Sequence, residues 1–211
     1  MQGTGDRPIT TVVFDLGGVL VDWDPRRAFE EVLDPDDVEP FLEEIDFHEW
    51  NRALDAGASI EQAEADVDRR FPHRAGVIAA YRRNFRSTLV GEVPGTADVV
   101  RELAARGLRL LALTTWSAES FPHAVETYPV LGHFEDIVVS GAERLIKPDP
   151  RIFQVLIERH EVDPRTAVFI DDSAANVAAA EALGFHALRF TDARGLRNDL
   201  TALGLPLTVD P

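Results

Sequence analysis

Four short stretches of the chain end in side chains able to do chemistry. "VVFDLGGVL" sets Asp15 behind an apolar run and follows it with Gly17 and Gly18. "LLALTT" ends in Thr114 and Thr115, and "RLIKPDP" carries Lys147. "VFIDDSAANV" ends in Asp171 and Asp172, with Ser173 and Asn176 just beyond. A single aspartate after a strand is ordinarily a turn former or a helix cap. Carboxylates brought to one place behave differently, because they repel one another unless a cation is shared between them. A lysine and a divalent metal supply that cation. Mg²⁺ is the natural metal for one or two carboxylates completed by phosphate oxygens and water. Gly17 and Gly18 fit the same picture, since a backbone without side chains can bring a carbonyl to a metal and let a substrate approach Asp15 closely.

Lys147 is the single lysine among 21 cationic residues, the rest being arginine. Arginine is a wide planar fork, whereas lysine is a compact point charge on a slender stem. A position that must push one positive charge into a narrow slot requires the second and rejects the first.

These residues come together if the runs behind them are strands of one sheet. "TTVVFD" (10–15), "LRLLALTT" (108–115), "FEDIVVSG" (134–141), "TAVFID" (166–171) and "FHALRF" (185–190) read as buried strands. Helices alternate with them. One runs through "TADVVRELAARG", with Val99, Val100 and Leu103 on one side and Gly107 as its stop. Asp149 and Pro150 open another, and Ser173 opens a third that Gly184 ends. Alternation of this kind predicts a parallel sheet with helices on both faces. Ligands bind such sheets beyond the carboxyl ends of the strands, where all these polar residues arrive. Between 22 and 90 the strand signal disappears. "VEPFLEEIDFHEWNRAL" is helical in period, with Phe41, Ile45, His48 or Glu49 and Arg52 marking successive turns. We therefore expect an α/β, Rossmann-like core from 1–21 and 91–211, and a small all-helical second domain over 22–90.

Composition narrows the function. A formal net charge of −16, spread along the chain, repels nucleic acid and anionic membranes. The chain has no cysteine, which excludes disulfides and thiolate chemistry. "MQGTGDRPIT" lacks the apolar run of a signal peptide, and no stretch reaches membrane-spanning length, so a cytoplasmic protein is expected.

Taken in order, "VVFDLGGVLVDW", "LLALTT", "RLIKPDP" and "VFIDDSAANV" resemble the four motifs of the haloacid dehalogenase-like hydrolases. The 22–90 insertion is similar to that family's helical cap domain. The resemblance implies that Asp15 is a nucleophile forming an aspartyl-phosphate with a small phosphorylated metabolite. It implies that Thr114 binds phosphoryl oxygens with Thr115 beside it, and that Lys147 neutralises Asp15 and the transferring group; Trp116, next in the chain, is expected near the site mouth, packing against the cap or the substrate. Mg²⁺ would be held by Asp15, the Gly17 carbonyl and Asp172, with Asp171 acting beside them or through water. Gly17 and Gly18 would border the substrate. Asn176 is grouped with the substrate-binding residues as a loop-fixing partner.

One position departs from the family's pattern. Its phosphatases carry a second aspartate two residues after the nucleophile, which protonates the leaving oxygen and later activates water. Here that residue is Gly17. Two other functions stay open: a 2-haloacid dehalogenase in which Asp15 attacks carbon, and a low-turnover binding or regulatory protein. Loss of the acid predicts a steep dependence on leaving-group pKa, unless the cap or its hinge provides a substitute. His48, Asp22 and Asp24 are the candidates there, and Trp50 is expected in the cap core.

Overall fold

The computed structural model describes residues 8–205 and 207–208; the outer ends of the two expected core segments lie outside these residues. Seven strands are present among them: β1 (Thr11–Phe14), β2 (Val21–Trp23), β3 (Leu89–Glu92), β4 (Arg109–Thr114), β5 (Asp136–Val139), β6 (Ala167–Asp171) and β7 (His186–Arg189). Five form one parallel sheet in the order β5-β4-β1-β6-β7. These are the five strands read from the sequence, each slightly shorter than the apolar run that announced it.

Alternation along the strands gives the sheet two buried faces. Val13, Leu111, Leu113 and Phe169 point to one face, where Ile152, Phe153 and Leu156 of one helix (Pro150–His160) pack with Ala180 of another (Ala174–Ala182). Phe153 meets Phe169 edge-on at 5.2 Å between ring centroids. Val12, Phe14, Ala112 and Ile170 point to the other face, against Val99, Val100 and Leu103 (helix Thr96–Ala105) and Leu196 and Leu200 (helix Ala193–Ala202). Fully burying each such side chain contributes roughly 1.5–3 kcal/mol, which fixes the strand ends as a platform. The predicted helix starts and stops hold: Asp149 caps its helix by accepting from the Arg151 N–H, and Gly107 and Gly184 take positive φ after theirs. Ser173 occupies its cap position without a side-chain cap bond.

The segment between 22 and 90 departs from expectation in two ways. It is not wholly helical, because β2 and β3 pair antiparallel, with a register shift between Asp22 and Trp23. The segment thus leaves and re-enters along neighbouring strands. The periodic stretch 38–54 is two helices, not one: α1 (Pro35–Glu44) and α2 (Phe47–Asp55) are split at Asp46, whose backbone is left-handed (φ 53°). The kink moves burial from the expected stripe to Phe47, Trp50 and Leu54 on α2. Phe29, Phe41, Phe47, Trp50, Tyr81 and Phe85 form one aromatic cluster, with Phe47–Tyr81 at 5.2 Å and Trp50–Tyr81 at 5.4 Å. Trp50 is in the core of this segment, as expected. These aromatics belong to the same apolar cluster as Leu16, Leu20 and Val21, so the helical segment and one sheet face share a core.

The far end of α2 is also tied to the sheet. Ser140 Oγ, just past β5, lies 2.7 Å from the Asp55 carbonyl, and Glu119 Oε1 accepts the Ile60 N–H at 3.0 Å. Two glycines permit this approach. A Cβ on Gly57 would stand 2.8 Å from the Gly141 carbonyl oxygen, and one on Gly141 would stand 2.5 Å from the Ala118 nitrogen.

Candidate active site

β1, β4 and β6 are adjacent, so their carboxyl ends deliver Asp15, Thr114-Thr115 and Asp171-Asp172 to one edge. Lys147 reaches this edge from the loop after β5. Its side chain has no solvent exposure and its Nζ lies 2.9 Å from Asp15 Oδ1 and 2.7 Å from Asp171 Oδ2. The ammonium also sits 5.6 Å from the centroid of the Phe169 ring. That slot suits a slender stem, in keeping with the isolated lysine of the sequence.

Asp171 is fully buried, and both its oxygens are engaged. Besides Lys147, Asn176 Nδ2 donates to both at 2.9 and 3.1 Å, and the Ser173 N–H donates to Oδ1 at 2.9 Å. Asn176 therefore holds Asp171, consistent with a loop-fixing residue; it does not line the cavities described below. Asp172 is exposed and lines the site cavity. Gly18, not Gly17, is the conformationally demanding glycine: its φ is +73°, and a Cβ there would lie 2.8 Å from Asp172 Oδ2. Gly17 has open space around its Cβ position.

Ligand atoms of Asp15, Asp171 and Asp172 lie within 4.8 Å of one another. Burial pushes the Asp15 carboxyl up, Lys147 pulls it down and Asp171 pushes it up again, leaving it at about 7. Asp172 is raised too, by burial and then by Asp171. Two of the three carboxylates, Asp15 and Asp171, pair with the one ammonium, so with all three ionised the cluster holds two negative charges in excess. The donors are all hard oxygens, and a divalent, oxygen-seeking cation such as Mg²⁺ fits both the charge and the donor type.

Two cavities open beside this cluster. One, of about 290 Å³, is bordered by Gly17, Gly18, Asp172 and Thr115 on the sheet side, and by Tyr81 and Asp55 on the helical side. Trp116 also lines it, buried, with its indole N–H donating to Ser120 Oγ at 3.2 Å. The other, of about 360 Å³, is bordered by Lys147, Thr115, His48 and Asp55. Thr114 is completely buried, and its hydroxyl has no partner among the described residues. A larger cleft of about 670 Å³ near Asp24 and Glu43 touches none of the clustered carboxylates.

The hinge candidates separate clearly. Asp24 is held by Arg26, whose Nε donates at 2.7 Å and keeps the carboxyl below its usual range. It is a turn former. Asp22 and His48 are exposed and each lines one site cavity. Asp55, which the sequence reading passed over, lines both. It ends α2 and is half-buried, and burial pushes its carboxyl up to about 7. A signal for it existed in the sequence: an acid in the last turn of a helix, two residues before a glycine, opposes the helix dipole and needs another reason to be there.

Comparison with known proteins agrees with this geometry. The family model described as haloacid dehalogenase-like hydrolase matches residues 9–184. Mouse acyl-CoA dehydrogenase family member 10 is 28% identical over 97% of this chain, which spans only 20% of that much longer protein. The fructose-1-phosphate phosphatase YqaB of Escherichia coli is 28% identical, the match covering 84% of this chain and 94% of the enzyme. A HAD family enzyme of Bacteroides thetaiotaomicron, solved with magnesium and inorganic phosphate, superposes with a TM-score of 0.68 at 21% identity, covering 87% of this chain and 95% of its own.

Proposed function

The chain belongs to the haloacid dehalogenase-like hydrolases, and on that premise we propose that it is a Mg²⁺-dependent phosphatase acting on a small phosphorylated metabolite through an aspartyl-phosphate. The observation that carries this reading is the cluster of three carboxylates, two of them paired with one buried ammonium, which when fully ionised is two positive charges short of neutrality. Attack on carbon by a lone carboxylate needs no such surplus, which sets the dehalogenase reading behind. The two relatives named above, a fructose-1-phosphate phosphatase and a magnesium–phosphate complex, support the same assignment.

Asp15, Asp172 and the Gly17 carbonyl would hold the metal, with Asp171 anchoring Lys147 beside them. Bound there, Mg²⁺ would neutralise the carboxylates and polarise phosphoryl oxygens. Asp15 Oδ attacks phosphorus, and Lys147 offsets charge on Asp15 and on the transferred group. The unpartnered Thr114 hydroxyl is a donor for a phosphoryl oxygen, with Thr115 at the cavity wall. The helical segment 22–90 is the cap that encloses the leaving group. Among the described residues lining the 290 Å³ cavity there is no lysine, arginine or histidine; Trp23, Tyr81, Phe85 and Trp116 meet Asp22 and Asp55 there. Such a wall favours an uncharged alcohol portion over one bearing a second anion. No helix of the described residues is long and apolar enough to cross a membrane, and we place the enzyme in the cytoplasm.

The test is a panel of phosphorylated metabolites assayed with Mg²⁺ and after chelation. Phosphate release that depends on Mg²⁺ is the expected result. Halide release from 2-haloacids without metal would establish the dehalogenase instead, and no turnover on any substrate would favour a binding protein.

A further inference from the structure

The catalytic machinery above lacks an acid. Something must protonate the departing alcohol oxygen and later take a proton from water, and at Gly17 there is no side chain to do it. The wall facing Gly17 across the 290 Å³ cavity belongs to the cap, and it presents one titratable group that also borders the Lys147 cavity: Asp55. Asp55 is thus the titratable group that borders both spaces beside the reacting cluster.

Resting on the phosphatase reading, we propose that Asp55 is the general acid and base of the reaction, supplied by the cap in place of a side chain at Gly17. In the first half, Asp15 Oδ bonds to phosphorus as the bond from phosphorus to the alcohol oxygen breaks, and the Asp55 carboxyl gives its proton to that oxygen. In the second half, the Asp55 carboxylate takes a proton from water. The water oxygen bonds to phosphorus, the bond from phosphorus to Asp15 breaks, and phosphate leaves. Asp15 ends as a carboxylate and Asp55 as an acid, so the cycle closes.

Three features equip Asp55 for this. Its side-chain partners are neutral: Asn51 Nδ2 donates to Oδ2 at 3.1 Å, and the Ser117 N–H also donates. Asn51 is itself oriented by Tyr81, whose hydroxyl donates to Asn51 Oδ1 at 2.9 Å. No cation therefore locks the carboxyl in its charged form, in contrast to Asp24 with Arg26. Second, the main chain is fixed to the sheet by the Ser140 contact at the Asp55 carbonyl, which the two glycines at 57 and 141 permit. The acid is held by the core as well as by its own helix. Third, burial keeps its carboxyl near 7, where it can both give and take a proton.

The experiment compares matched esters of differing leaving-group pKa, 4-nitrophenyl phosphate and a simple alkyl phosphate, on the Mg²⁺-loaded enzyme. General acid catalysis is typically worth about 10²–10⁴-fold. Wild type should show a shallow dependence on leaving group. Asp55→Asn should lose at least about 10² more on the alkyl than on the aryl ester, and Gly17→Asp in that background should narrow the gap again, because the Gly17 Cβ position is open. Asp22→Asn and His48→Gln should leave the alkyl-to-aryl ratio at its wild-type value. Equal loss on both esters in Asp55→Asn, or a ratio that moves with Asp22 or His48 instead, overturns the proposal. Were Asp55→Asn not to fold, a steep wild-type dependence would overturn it and a shallow one support it. Absence of turnover on every ester by wild type would instead sink the phosphatase reading, a distinct result.

Discussion

Asp15 at the sheet edge and Asp55 at the end of α2 are both raised, each to about 7, by different routes. Asp15 is raised chiefly by burial; the lysine 2.9 Å away pulls it down and Asp171 pushes it up again. Its neighbourhood is rich in charge and short of cations, so a divalent ion returns it to the ionised form a nucleophile needs. Asp55 is raised by burial alone, among neutral donors, and no added cation is called for. The first site stores a charge imbalance. The second stores a proton. A single raised carboxyl thus says little by itself; the partners around it are what the two proposed roles, metal-dependent nucleophile and acid, rest on.

The largest expected effect is at the first site. Asp15→Asn should lower turnover by on the order of 10⁴–10⁶, the scale of removing a nucleophile, while circular dichroism shows a folded protein. Activity near wild type would end the covalent mechanism and the contrast with it. Chelating the metal comes next, with a loss on the order of 10³ or more expected at the first site. Thermal unfolding with and without Mg²⁺ gives a second reading: wild type should be stabilised by the ion, and Asp172→Asn much less so. Stabilisation equal in the two proteins would move the metal elsewhere.

Lys147→Arg keeps the charge but not the shape. We expect roughly 10²–10³-fold lower kcat, the scale of a misplaced charge stabiliser. A variant within a few-fold of wild type would mean the slot between Asp15, Asp171 and Phe169 tolerates a fork.

The smallest effect belongs to Asp55 and is read in stability. Its folded pKa lies above the ordinary value of 3.8, so between about pH 4 and pH 7 the native state binds more protons at this site than the unfolded chain. Its contribution therefore falls as pH rises through that window and is constant on either side. Asparagine does not titrate. The urea-unfolding free energy of Asp55→Asn should gain on wild type by about 2 kcal/mol from pH 5 to pH 8, discounting for partial exposure. A gap independent of pH would show that Asp55 titrates normally and is not a proton store.

The two sites also differ in how far the sequence revealed them. Asp15 and Asp171 could be placed because each ends an apolar run that reads as a buried strand, parallel strands deliver their ends to one edge, and Lys147 lies in the loop after the third strand read from the sequence. The positions follow from local pattern. The segment between 22 and 90 resisted the same treatment. β2 and β3 are three and four residues long and half-exposed, too short for alternation to register. The break at Asp46 depends on a left-handed residue that is not glycine, so the periodic run reads straight through it. Asp55 matters because of what stands opposite, and that is a tertiary fact. The missing acid at Gly17 was legible in the sequence and pointed to Asp22, Asp24 and His48; Asp55, the residue proposed for that role, lies at the end of α2.

The tether at that end has a kinetic side. A lid fastened only through β2 and β3 could swing as a rigid plate, and its opening would expose every cap amide together. This one is pinned a second time, where the Ile60 N–H meets Glu119 and Ser140 meets the Asp55 carbonyl. Any opening of segment 22–90 away from the sheet then requires either deformation within the segment or release of the pin. The Ile60 amide becomes a clock for the second route. Its hydrogen exchange should track lifting of the cap, and the amides of the sheet should remain protected on that timescale. Slow exchange at Ile60 under turnover would mean that molecules enter and leave with the pinned end staying shut throughout.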